Sequence, residues 1–154
     1  MTVKRVKVDK REEGLILQEY LHLHKTVEAF DSRGLTIKAW SVTLSMAGIG
    51  TAILDSTYSI LLLSAGSAFL FWIIEGLWKS FQYAYYLRIR MIEGYFSGEN
   101  KTLTPFQIST SWSTSWRAGG WKRLFWILTW PHIFLPHLAT VLAGPLLYAY
   151  FVLQ

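Results

Sequence analysis

The residue of this chain best placed to do chemistry is a carboxylate inside an apolar run. Glu75 stands in FWIIEGLW, where an ionised group is costly and needs a partner. Two lysines are candidates. Lys79 lies one helical turn further along the same segment, and Lys38 precedes the other long apolar run. The group reads either as a structural ion pair with Lys38 or as the centre of a proton or ion relay, or a gate. His132 and His137 in WPHIFLPHL raise the idea of a metal. Five residues apart on a helix they diverge by about 140°, which suits chelation poorly. Capping backbone groups freed by Pro136 is the simpler role. His22 and His24 also point to different faces, so neither a metal nor a cofactor is expected.

A second set is small. Ser41, Ser45, Gly48 and Ala52 recur at spacings of four and three and share one helical face. In lipid, small faces let helix backbones approach closely, because packing drives association there. The same hydroxyls could instead line a polar pore in an oligomer. No Ser–His–Asp order, phosphate loop or HExxH pattern is present, and the expectation is a protein that is not an enzyme.

These residues need a frame, and the hydropathy pattern supplies one. Two apolar runs, Ala39–Leu54 and Tyr58–Leu77, are parted by little more than Asp55, Ser56 and Thr57. Each run with its flanks approaches the roughly 20 residues that cross a bilayer core. A short polar break between them predicts a transmembrane helical hairpin, with the first span over residues 36–54. The second span should continue past the membrane, over 58–96. Leu77–Phe96 lacks proline and carries a stripe of Trp78, Phe81, Tyr85, Ile89, Ile92 and Phe96. A helix of that length would be about 57 Å long, nearly twice the bilayer core. A turn near residues 56–57 sets residue i opposite about 113 − i, which brings Lys38 to Glu75.

The flanks extend the pattern. Ile16, Tyr20, Leu23, Val27 and Phe30 mark a cytosolic amphipathic helix over 12–31, with a short break or kink expected within Phe30–Thr36 at Ser32 and Gly34. The basic stretch Thr2–Arg11 is expected to fray or lie near anionic headgroups. After the polar loop Ser97–Thr104, Thr104-Pro105-Phe106-Gln107 has the form of a helix start. It predicts an interfacial helix over 105–117, with Ile108, Trp112 and Trp116 at spacing four. A basic joint follows at Arg117–Arg123. Residues 124–153 then form a third membrane segment, spanning or re-entrant, with Pro131, Pro136 and Pro145 expected to kink it.

Composition agrees with a membrane. Of 154 residues, 52% are hydrophobic and eight are Trp, more apolar surface than a small soluble domain can cover. The net charge of +5 sits beside the apolar runs rather than in one patch, so the positive-inside rule accounts for it and no nucleic-acid partner is expected. The absence of cysteine excludes disulfides and thiolate chemistry. MTVKRVKVDKREEG lacks the apolar core of a signal peptide. The charge map predicts a multi-pass protein of the plasma (inner) membrane, amino terminus cytosolic and carboxyl terminus outside.

The fold class is therefore an all-α integral membrane protein forming one membrane domain over 1–154. It comprises a long antiparallel transmembrane hairpin with cytosolic helical extensions, an interfacial helix and a Pro-kinked third segment. A soluble helix, the span AWSVTLSMAGIG, a tight turn, the span LLLSAGSAFLFWIIEG and the helix WKSFQYAYYLRIRMIE, all within Leu15–Phe96, resemble the small SLATT-type membrane proteins of bacteria. That resemblance implies a membrane-disrupting or pore-forming effector in anti-phage defence, working beside a sensor protein. The expectation is an oligomeric membrane effector in contact with the lipid bilayer and other copies of itself. The alternative is a non-conducting anchor or scaffold whose cytosolic helices recruit a soluble partner.

Overall fold

The structure, a computed structural model, describes residues 10–100 and 102–153. Apart from Lys10 and Arg11, the basic stretch Thr2–Arg11 lies outside the described residues. Among those residues the chain is all-helical. Four helices follow one another: α1 (Lys10–Leu54), α2 (Ser59–Ser97), α3 (Ile108–Leu128) and α4 (Pro131–Val152). Of these, α1, α2 and α4 are long and apolar enough to cross a membrane.

The expected break before the first span is absent, and α1 runs for 45 residues without interruption. Ser32 and Gly34 each weaken a helix by roughly 0.5–1 kcal/mol. That is too little to open a ladder held by strongly helical turns on both sides. Thr36 Oγ1 also donates to the Ser32 carbonyl at 3.2 Å, one turn back.

The chain divides into two compact units, Met1–Phe30 with Phe81–Gly120, and Asp31–Ser80 with Trp121–Gln154. In the first, Ile16, Leu23 and Val27 of α1 pack with Ile89 and Ile92 of α2, and Leu103 and Ile108 close over them. Gln82 Nε2 donates to the Val27 carbonyl at 2.8 Å. Trp112 of α3 donates to the Phe81 carbonyl at 3.1 Å and stacks on Trp116, 5.9 Å between centroids.

The helix start expected at Thr104 is displaced to Ile108. The backbone it would have used is engaged elsewhere. Arg88 Nη2 donates to the Thr104 carbonyl at 2.7 Å, and the Phe106 N–H donates to Glu19 Oε2 at 2.9 Å. Phe106 takes a φ of 61°, which a bulky residue adopts only under such constraint. A tertiary ion pair has overridden a local capping signature.

In the second unit α1 and α2 are joined by a tight turn in which Ser56 has φ 52° and Thr57 N–H reaches back to the Ala52 carbonyl. The third apolar segment differs from the single run over 124–153. Leu124–Leu128 close α3, and α4 begins at Pro131 after the extended Trp130. Proline at the first helical position loses no hydrogen bond. Pro136 and Pro145 stay inside one continuous helix of 22 residues. Within α3, Gly120 leaves the helical region at φ 46° and ψ −147°, a conformation glycine reaches most readily.

α4 lies close to α2 through Gly144, where an added Cβ would stand 2.7 Å from the Ala65 Cβ and meet the Leu61 carbonyl oxygen. Tyr58 and Phe151 stack at 4.8 Å with ring planes 2° apart. Trp72 Nε1 donates to the Leu128 carbonyl at 3.1 Å.

Candidate functional site

The polar centre of the second unit is a chain of four side chains from three helices. Lys38 Nζ of α1 lies 2.7 Å from Glu75 Oε1 of α2. The other carboxylate oxygen, Oε2, lies 2.9 Å from His137 Nε2 of α4. The opposite ring nitrogen, Nδ1, lies 2.8 Å from Ser41 Oγ, back on α1. Side-chain exposure falls from 24% at Lys38 to 4% at Glu75 and 0% at His137. The chain thus begins near the surface and ends sealed.

Helix geometry explains how the parts meet. Lys38 and Ser41 are three residues apart, so both point to the same side of α1. They bracket the depth at which Glu75 enters from α2. An antiparallel pair whose register sums to 113 puts Lys38 against Glu75. α4 then inserts His137 between the carboxylate and the serine.

The hydrogens follow from the acceptors. A carboxylate that accepts from Lys38 on one oxygen accepts on the other from the Nε2–H of His137. In the neutral ring Nδ1 then accepts from the Ser41 hydroxyl. If the ring gains a proton, Nδ1–H donates to Ser41 Oγ and the serine hydrogen turns to another acceptor. Both states keep both ring contacts.

The roles assigned to the histidines change accordingly. His137 does not cap carbonyls freed by Pro136, since both its nitrogens are taken by Ser41 and Glu75. His132 sits instead against Trp130, 5.4 Å between centroids. Lys79, the other candidate partner of Glu75, pairs with Asp31 at 2.8 Å. Serine, histidine and a carboxylate do form a hydrogen-bonded series, which chain order did not reveal. Its three side chains are only 0–4% exposed.

The small face packs inside the chain. Ser41 and Ser45 are 2% exposed and Ala52 is fully buried. Gly48 is so near Ser64 that any side chain there would overlap the Ser64 hydroxyl. Ser45 Oγ is buried and has no hydrogen-bond partner. The sides of the apolar helices that remain exposed are hydrophobic, as at Leu63, Leu70, Leu142 and Leu146.

His137 stood out in the sequence, but its pairing with Glu75 and Ser41 did not. Its only signal was indirect: a buried carboxylate has two oxygens, and Lys38 satisfies one, so a second donor was required.

The chain matches no family model, no curated protein and no solved structure.

Proposed function

We propose that this protein is a multi-pass protein of a bacterial plasma membrane that acts on the membrane's ion gradient, as an oligomeric effector of the SLATT-like kind used in defence. In this reading α1, α2 and α4 cross the bilayer, α1 and α2 extend into the cytosol, and the first part of α3 lies at the interface. Arg33 and Lys38 precede the first span, Lys79, Arg88 and Arg90 follow the second, and Lys122 and Arg123 precede the third. The turn holds only Asp55, and no lysine or arginine follows Pro131. The positive-inside rule then puts the amino terminus in the cytosol and the carboxyl terminus outside.

The observation that carries the reading is the Lys38–Glu75–His137–Ser41 chain among these helices. Ionisable groups in a membrane interior are costly and mark ion or proton handling more often than they mark simple support. Because Ser41, Ser45, Gly48 and Ala52 are engaged within the chain, contacts between copies would use the outer apolar sides of the helices.

The second reading, a non-conducting anchor that recruits a soluble partner, draws on that same closure: the hydroxyl face is not free to line a shared pore. Liposomes containing the purified full-length chain separate the two. The effector reading expects release of trapped ions above the rate of empty vesicles. An anchor would leave the vesicles tight and would co-purify with a soluble protein from its own host.

A further inference from the structure

We infer that Trp121–Leu128, the second half of α3, is a lipid-docking element whose outer face seats anionic headgroups of the cytosolic leaflet. The inference goes beyond the effector reading and rests on its placement of the helices in a bilayer. Past Gly120, which leaves the helical region at φ 46°, this segment belongs to the second unit. At 100° per residue its side chains divide into two arcs. Leu124 and Ile127 are buried, and Leu128 shares their side. Leu124 and Leu128 pack on α2, where a Cβ added at Gly76 would overlap the Leu128 side chain and stand 3.5 Å from Leu124 Cδ1. Trp121, Lys122, Phe125 and Trp126 fill an opposite arc of about 140°. All four are exposed, Trp121 the most at 73%.

What covers this face follows from its level. Gly76 adjoins Glu75, whose partner Lys38 is 24% exposed, and lies close to Lys79, which pairs with the exposed Asp31. Partly exposed charges at this height mark where the apolar spans meet water. The outer face of a segment packed here runs along the bilayer interface, the region that tryptophan prefers. Aromatic rings this exposed suit water poorly, and the ammonium of Lys122 in their midst suits hydrocarbon poorly. A layer of phosphates above acyl chains satisfies both.

Charge selects among headgroups. The second unit holds five basic residues, Arg33, Lys38, Lys79, Lys122 and Arg123, against three acids. Of the acids, Asp31 pairs with Lys79, and Glu75 is shared by Lys38 and His137. Asp55 lies in the turn, about 30 Å from Glu75 at the rise of a helix. No Asp or Glu follows Glu99. Positive charge is therefore in excess beside the aromatic face, and a lipid of net negative charge complements it where a zwitterionic one does not.

The test reconstitutes the full-length chain in phosphatidylcholine vesicles carrying a share of brominated phosphatidylglycerol or brominated phosphatidylcholine. Bromine quenches a tryptophan that it touches, and the difference between the unaltered chain and Trp121→Phe isolates the Trp121 signal. At equal share the anionic lipid is expected to quench Trp121 more strongly. Lys122→Gln, an exposed change that leaves the buried arc intact, is expected to cut that preference about five-fold, and Lys122→Arg to keep it. Equal quenching by both lipids, or a preference untouched in Lys122→Gln, overturns the inference and leaves the effector reading standing. So does quenching of Trp121 by aqueous iodide alone, which would mark a face for a soluble partner. Should no tryptophan of the chain be quenched by either brominated lipid, the bilayer placement fails and both readings go with it.

Discussion

Among the described residues each unit buries an acid–base cluster, and the two are built to different ends. In the first, Arg88 holds Glu19 in a two-pronged contact, Nε to Oε1 at 2.8 Å and Nη2 to Oε2 at 3.0 Å. Its remaining partners are backbone atoms, the Thr104 carbonyl and the Phe106 N–H. An arginine side chain keeps its charge at every pH a cell meets, and its fork fixes geometry. The cluster is a clasp that ties the loop before α3 to α1 and α2. In the second unit the carboxylate meets a lysine and a histidine, and beyond the histidine comes a hydroxyl rather than backbone. Every member can give up or take a proton. Burial alone therefore does not say what a charged pair is for; the partners' chemistry does.

The largest effect that would sharpen this contrast lies at the clasp. Glu19→Ala leaves Arg88 buried and unpaired, which costs about 3–5 kcal/mol, and frees the Thr104–Phe106 backbone. Thermal melting should fall steeply, and protease should cut between residues 98 and 107. Replacing both partners, Glu19→Met with Arg88→Leu, should recover much of the loss. A double variant as unstable as the single one would break the description of a clasp.

Next in size is the buried Lys38–Glu75 pair of the second unit, read as a stability element. Lys38→Gln and Glu75→Gln should each destabilise by on the order of 3 kcal/mol. The double variant should recover only part, because His137 still faces an altered partner. Strictly additive losses in the double-mutant cycle would mean that the lysine and glutamate do not interact.

The smallest effect concerns an exposed contact of the first unit. Tyr20 donates to Glu93 Oε1 at 3.0 Å, and that bond, with some desolvation and the glutamate's charge, raises the tyrosine above its ordinary 10.0. The folded state thus holds this proton more tightly than the unfolded state. The contribution is full below the ordinary tyrosine range and is lost as pH rises through the folded value. Tyrosine absorbance titration should show one late-ionising residue that disappears in Tyr20→Phe. A titration curve indifferent to that substitution would remove the contact from the account.

The parts of the molecule legible in the sequence are those governed by long-range pattern. Two apolar runs with a three-residue polar break define α1, α2 and their turn, and equal rise on both helices sets Lys38 against Glu75. What escaped the sequence depended on tertiary partners. The Thr-Pro-Phe-Gln signature lost its helix start to Glu19 and Arg88, which lie far away in sequence. Ser32 and Gly34 looked like a break, but their local weakness was smaller than the cooperativity of the helix around them. His137 was visible as a candidate, but its role was not, since that is set by an acceptor and a hydroxyl on two other helices. The small face was legible as a packing surface, but its contact with His137 of α4 was not.

α4 has a further consequence when the chain is followed as it leaves the ribosome. Its two internal prolines remove helix hydrogen bonds, and His137 places an imidazole in its middle. Alone in lipid, such a segment is a poor candidate for stable insertion. α1 and α2 are synthesised earlier and already present Glu75 and Ser41 when α4 arrives. The last helix can then enter against a waiting template, with Gly144 allowing its backbone to settle beside Leu61 and Ala65. A chain shuffled to make α4 first would have to place its most awkward segment with nothing there to receive it.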